Sequence, residues 1–183
     1  MLLLPLAKIG WDGAVGALGA NPVEAIQNRL GFWAITLLAV SLVPTPAKEL
    51  AGIAWPQRLR RVIGLAAFGY ALLHLVFYVA VDKFFDWPVI AVDLTKRPFL
   101  MVGFSALLCL APLAVTSTDG WVRRLGFRRW KALHRLAYLA AALAVVHFTW
   151  RVKADLRRPL LFAAVFALLL AARIPGWVRA ARR

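Results

Sequence analysis

Charge is scarce in this chain, and acid is scarcest. Only 17% of its 183 residues are charged and only 8 are Asp or Glu, whereas a soluble globular domain carries about 25% charged residues. There is a single cysteine, Cys109. That excludes an intramolecular disulfide, a Cys-rich zinc site and a four-Cys iron–sulfur cluster, and without a CxxCH stretch no haem is attached covalently. Neither GxGxxG nor GxxxxGK[ST] occurs, and no loop is long enough to supply a βαβ unit around one. Dinucleotide or nucleoside-triphosphate chemistry would therefore have to come from a partner. Internal repeats and low-complexity tracts are absent as well.

What fills the chain is hydrocarbon. Hydrophobic residues make up 62% of it and the mean hydropathy is +0.73, an excess that calls for a bilayer as solvent. Four apolar runs are long enough to approach the ~30 Å of a membrane core: Leu30 to Val43, Val62 to Val81, Phe99 to Val115 and Ala132 to Trp150. Two weaker runs flank them, Met1 to Ala20, which carries Lys8 and Asp12, and Leu160 to Ala172, which ends before Arg173 and the Pro175–Gly176 break. The expectation is an all-α integral membrane protein: one domain over residues 1–183, a six-helix transmembrane bundle. Met1 is followed at once by apolar residues with no charged leader, so no cleavable signal peptide is expected. Six spans of about 20 residues leave about 60 for every loop and tail.

The net charge of +15 does not point to nucleic acid, because the basic residues sit in short clusters between apolar runs. One set of loops holds Lys48, Arg58, Arg60, Arg61, the cluster from Arg123 to Lys131 with Arg135, and then Arg173, Arg179, Arg182 and Arg183. The smaller set holds Arg29, Lys83, Lys96, Arg97, Arg151, Lys153, Arg157 and Arg158. By the positive-inside rule the richer set is cytoplasmic, which places both termini in the cytoplasm.

The three histidines, His74, His134 and His147, all fall within or at the edge of expected spans. At 1.5 Å per residue, His74 lies about 18 Å from the cytoplasmic end of its span and His147 about 24 Å above Lys131, both in the outer half. His134 lies about 20 Å below His147. Two neutral imidazoles from facing helices can take both axial positions of a haem iron. Equally, a membrane histidine can hydrogen-bond a neighbouring helix or line a proton path, although the four clear spans contain no Asp or Glu to relay protons. His134 and His147 lie some 140° apart around an ideal helix, so either the helix is distorted or they address different neighbours. His134 has no histidine partner, since Arg60 stands fourteen residues before His74 where one would be needed.

Longer stretches then carry a resemblance: GANPVEAIQNRLG from Gly19, RRVIGLAAFGYALLHL from Arg60, DLTKRPF from Asp93, PLAVTS from Pro112, RRLGFRRWKALHRLAY from Arg123 and HFTWRVKADLRRP from His147. Over nearly its whole length the chain resembles the MsrQ (YedZ) family, haem-binding membrane subunits of the bacterial MsrPQ methionine sulfoxide reductase system. That family is a minimal version of the ferric reductase-like transmembrane domain, whose members pair histidines on their third and fifth helices. The resemblance implies a multi-pass protein of the bacterial inner membrane. In it, electrons from a cytoplasmic flavin reductase or the quinone pool would cross through haem b, with His74 and His147 as axial ligands and His134 at a second site. They would then reduce a periplasmic molybdopterin-containing methionine sulfoxide reductase, MsrP. The chain would be an electron-transfer subunit with no catalytic residue of its own. The family is also associated with FMN, which no motif here locates.

Other residues fit this scheme beside simpler roles. Arg58, Arg60 and Arg61 with Arg123 to Lys131 make a basic face near His134, suited to a flavin phosphate, a haem propionate or an acidic donor, and equally to anionic membrane lipid. Gly64, Gly69 and Gly103 are helix-packing positions that could admit a porphyrin edge. Trp87, Trp121, Trp130 and Trp150 read as interfacial anchors, and Cys109 as core. Asn21, Pro22, Glu24, Lys96, Arg97 and Lys153 would face the periplasmic partner. The competing functions are a stand-alone ferric or quinone-linked cytochrome b and a haem-free transporter.

Overall fold

The structure, a computed structural model, describes residues 1–152 and 154–173. Expectations placed on Lys153, Pro175, Gly176, Arg179, Arg182 and Arg183 lie outside the described residues. Within them the chain is helical throughout, without a strand. α1 (Leu4–Ala14) is followed by α2 (Pro22–Leu42), which runs through a proline-rich junction into α3 (Pro44–Ala51). α4 (Arg60–Phe77) ends in one widened turn over Tyr78–Asp82, and α5 (Trp87–Lys96) leads into α6 (Pro98–Val115). Two short helices, α7 (Asp119–Leu125) and α8 (Phe127–Leu133), precede α9 (Leu136–Arg151) and α10 (Arg157–Ala171).

Local chemistry sets these boundaries. Asn21 caps α2, its side chain accepting from the Glu24 amide at 3.1 Å while Pro22 occupies the first turn, where a missing N–H costs nothing. Asp86 caps α5 in the same way through the Val89 amide. Between α4 and α5 the chain turns through Phe84 and Phe85, both with positive φ (48° and 59°), a conformation that side chains seldom adopt.

Four stretches among the described residues are long and apolar enough to cross a membrane: Pro22–Ala51, Arg60–Asp82, Pro98–Val115 and Phe127–Arg151. They match the four clear runs of the sequence. The two terminal runs do form helices, but α1 has 11 residues and α10 has 15, both short of the ~20 that span a bilayer core.

α2 packs along α4 and α6 along α9, with α4 against α6 and α10 against α9 and α2. α2 and α4 are antiparallel, and so are α6 and α9. Gln27 meets His74 while Ser41 faces Gly64, and Phe99 meets His147 while Thr116 meets His134. Small residues allow the approach, since Ala67, Ala140 and Ala141 are fully buried beside Leu38, Leu42 and Phe166. Large apolar side chains such as Leu72, Val76, Phe104, Leu108, Leu139 and Leu161 stay exposed, the inside-out surface that a hydrocarbon solvent tolerates.

Candidate functional site

α4 and α9 deliver His74 and His147 to the same end of the bundle, with ring centroids 6.2 Å apart and planes at 87°. Each ring is fixed through Nδ1. In His74 it lies 2.9 Å from the Gln27 carbonyl oxygen of α2, and in His147 it lies 2.7 Å from the Phe99 carbonyl oxygen of α6. A carbonyl only accepts, so Nδ1 carries the proton in both rings and the lone pair of each neutral imidazole is on Nε2.

The two acceptors share a local design. Gln27 is four residues before Gly31, and Phe99 four before Gly103. A helix carbonyl points toward residue i+4, and there glycine leaves room for the ring. A Cβ on Gly31 would stand 3.1 Å from His74 Cε1, and one on Gly103 would stand 2.5 Å from His147 Nδ1. Gly64 instead faces the Ser41 Cβ at 4.0 Å as a packing position, and Gly69 has nothing within 4 Å. Of the three glycines considered from sequence, only Gly103 belongs to the histidine pair.

Two imidazoles that each keep the Nε2 lone pair are a donor set that a metal ion would accept, and each ring is oriented by its bond to a backbone carbonyl. The Gln27 carboxamide donates to the His74 carbonyl at 3.1 Å, and its nitrogen lies 3.4 Å from His74 Nε2. Among the described residues, Gln27 Oε1 and Asn28 Oδ1 are buried without a partner. The residues present therefore fit a bis-imidazole iron.

His134 lies elsewhere, at the opposite, basic end. The expected fifth span is two helices, and His134 and Arg135 form the turn between α8 and α9, which is the first of the two alternatives that the 140° offset left open. Thr116 donates its hydroxyl proton to the Pro112 carbonyl at 2.6 Å, so its 3.2 Å contact with His134 Nε2 has the imidazole N–H donating. The His134 ring also lies on Trp130, centroids 4.0 Å apart, and Trp130 donates to the Thr116 carbonyl at 2.9 Å. Trp130 is thereby tied to His134, whereas Trp87 and Trp150 remain exposed as anchors would. Arg60 donates to Thr45 at 3.5 Å near His134, and Arg61 pairs with Asp119 at 3.2 Å. The sequence-predicted residues thus form two groups: His74 with His147, and His134 with Arg60, while Arg61 sits at the surface.

Ion pairs brace the His74/His147 end. Asp12 of α1 is buried against Arg29 of α2 and lies 3.2 Å from Lys8, so the charges in the first apolar run serve to dock that short helix. Asp93 of α5 takes Lys83 at 3.0 Å, Arg97 at 3.4 Å and the Tyr78 hydroxyl at 3.1 Å. Burial pushes the Asp93 carboxyl up, but the bonds from Lys83 and Tyr78 and the charges of Lys83 and Arg97 outweigh it and hold the group below its ordinary value. Glu24 pairs with Arg151 at 3.4 Å across α2 and α9, so it braces the helices as well as facing outward. Gln27, Gly31, Phe99 and Thr116 were not singled out from sequence. The one signal that could have found the first three is a glycine four residues after a carbonyl at histidine depth.

An antiparallel bundle of long apolar helices with a histidine pair at one end defines a class, and residues 30–145 match the family model described as "Ferric reductase like transmembrane component". The chain is 53% identical to a protein of Rhodospirillum rubrum, an alignment covering 98% of this chain and 86% of that one. It is 46% identical to proteins of Caulobacter vibrioides (93% and 81% covered) and of Xanthomonas campestris pv. campestris (100% and 85% covered). Each of these three relatives is named "Protein-methionine-sulfoxide reductase heme-binding subunit MsrQ". The chain belongs to the MsrQ family, within the ferric reductase-like membrane proteins.

Proposed function

We propose that the chain is the membrane electron-transfer subunit of a methionine sulfoxide reductase system and that it holds a b-type haem between His74 and His147. The observation that carries this reading is the matched fixing of the two rings, each Nδ1–H donated to a helix carbonyl so that each Nε2 is left as a donor. A haem bound there supplies a one-electron couple. The chain's own residues orient the rings, through the carbonyls of Gln27 and Phe99.

On the same reading the domain covers residues 1–183 as six spans in a bacterial inner membrane, α1 and α10 included, with both termini cytoplasmic by the positive-inside count. Electrons enter at the basic end from a flavin reductase or a quinol. His134, Arg60 and Arg61 mark the second cofactor region there, where FMN is placed by family association alone. Electrons leave at the His74/His147 end to a periplasmic molybdopterin methionine sulfoxide reductase, MsrP, which repairs oxidised envelope proteins.

A visible spectrum of the purified, reduced protein tests the core of this. Sharp α and β bands of low-spin bis-histidine haem are expected in the wild type. They should disappear in both His74→Ala and His147→Ala and persist in His134→Ala. Full low-spin haem in either of the first two variants would refute the pairing.

A further inference from the structure

His74 and His147 are held alike at Nδ1 but differ at Nε2. Among the described residues, no side chain bonds Nε2 of His147, whose one hydrogen bond is to the Phe99 carbonyl. At His74 the Gln27 carboxamide nitrogen lies 3.4 Å from Nε2 and 3.1 Å from the carbonyl oxygen of the same residue. Neither target can donate, because the ring proton is already on Nδ1, facing the Gln27 carbonyl at 2.9 Å. The amide nitrogen thus brings two hydrogens to two acceptors. Turning the carboxamide over would set its oxygen against both of them, so the hydrogen-bond network fixes which atom is nitrogen.

One atom is left unsatisfied by this arrangement. Gln27 Oε1 is buried without a partner among the described residues, and a buried acceptor with no donor is unfavourable. The contact is also exclusive, since the Nε2 lone pair that accepts from Gln27 is the one an iron would take. Backbone and side chain of this residue can be separated. The Gln27 carbonyl holds Nδ1 whatever the side chain is, so the ring keeps its orientation when the carboxamide moves or is replaced.

We propose that Gln27 is a positioning residue with two opposed parts: its backbone carbonyl fixes the His74 ring, while its side chain competes with iron for Nε2 of that ring. The proposal deepens the haem reading above and rests on it. It makes the two axial ligands unequal. His147 offers its nitrogen directly, whereas His74 gives up a hydrogen bond first, so the Gln27 side chain weakens haem binding and slows the bond from His74. A residue that served only to pack α2 against α4 would do neither, and its replacement would loosen the site.

The test uses the full chain in detergent, expressed with isotope-labelled histidine in cells starved of haem precursor, and then titrated with ferric haem. Before haem is added, nitrogen NMR should place the Nε2 signal of His74, assigned by its loss in His74→Ala, upfield of that of His147, because accepting a hydrogen bond shields it. Gln27→Leu keeps the bulk and loses the donor. It should move this signal downfield while Nδ1 of His74 stays where it is. Gln27→Asn draws the amide back by one methylene and should do the same, so it serves where the leucine variant does not fold. Both should bind haem about two- to fivefold more tightly than wild type, the weaker end of what one neutral hydrogen bond gives, and should develop the low-spin bands faster. Asn28→Ala removes a neighbouring buried oxygen that also has no partner among the described residues, and should change neither the signal nor the affinity. A His74 signal unmoved by loss of the Gln27 amide, or haem bound no more tightly, would overturn the competition while leaving the histidine pair in place, since the low-spin bands would still need both histidines. Low-spin haem that survives His74→Ala would overturn the pairing itself, and this proposal with it.

Discussion

A Cβ added to Gly103 would stand 2.5 Å from Nδ1 of His147, closer than any ordinary contact, so the imidazole and the glycine occupy one continuous space. Gly103→Ala should therefore push His147 off the Phe99 carbonyl. Overpacking of this kind costs about 1–3 kcal/mol, so haem affinity should fall roughly 10- to 100-fold. Gly31→Ala, with 3.1 Å to His74 Cε1, should weaken binding less. Gly69→Ala meets nothing within 4 Å and should leave haem unchanged while stabilising the helix by up to about 1 kcal/mol. Pyridine haemochrome titration ranks the three, and any other order removes the glycines from the site.

The second prediction separates the two ends. Thr116→Val deletes the acceptor of the His134 N–H while preserving shape, at a cost of about 1 kcal/mol. The bands assigned to His74 and His147 should keep their position and intensity, while reduction of the protein from the His134 side slows. A spectrum changed as much as in His147→Ala would mean that one haem, not two regions, answers to all three histidines.

How much of this could be read in the sequence depends on direction. Depth was legible, because axial rise per residue is nearly constant, and it placed His74 beside His147 and His134 at the far end. Azimuth was not, because the turn at His134 and Arg135 carries no proline or glycine to announce it. Hydrogen-bond partners were also hidden where the acceptor is a backbone carbonyl, which every residue offers, as for Gln27 and Phe99. Arg173 counted only as a basic residue near a membrane edge. It is buried and donates to the Leu42 carbonyl, which Pro46 leaves without its usual helix amide, a relationship visible only once α2 and α10 are packed.

Asp93 offers a pH test. Its carboxyl is held below the ordinary value of 3.8, so the folded state binds its proton less readily than the unfolded chain. The stability this contributes is complete above that ordinary value and is lost as pH falls through the lowered folded value. Asp93→Asn should lower stability at pH 7 by about 1 to 2 kcal/mol, and the gap to wild type should close in strong acid. Thermal unfolding in detergent at several pH values measures this. A gap that stays constant down to the lowest pH would show that the Lys83–Asp93–Arg97 cluster contributes nothing through charge.

The last prediction concerns direction across the membrane. The basic clusters from Arg58 to Arg61 and from Arg123 to Lys131 lie at the end that carries His134 and Arg60, while His74 and His147 lie at the other. If the positive-inside rule orients the bundle, electrons supplied at the basic end emerge on the opposite face. Sealed vesicles of known orientation check this, with a flavin reductase and NADH on the His134 side and a molybdopterin methionine sulfoxide reductase with a methionine sulfoxide peptide on the other. Sulfoxide reduction should require both enzymes, this chain and both His74 and His147, and should stop when the two sides are exchanged. Lacking a nucleotide-binding motif, the chain alone should not oxidise NADH. Turnover that survives His74→Ala, or NADH oxidation by the purified chain, would end the case for an electron conduit.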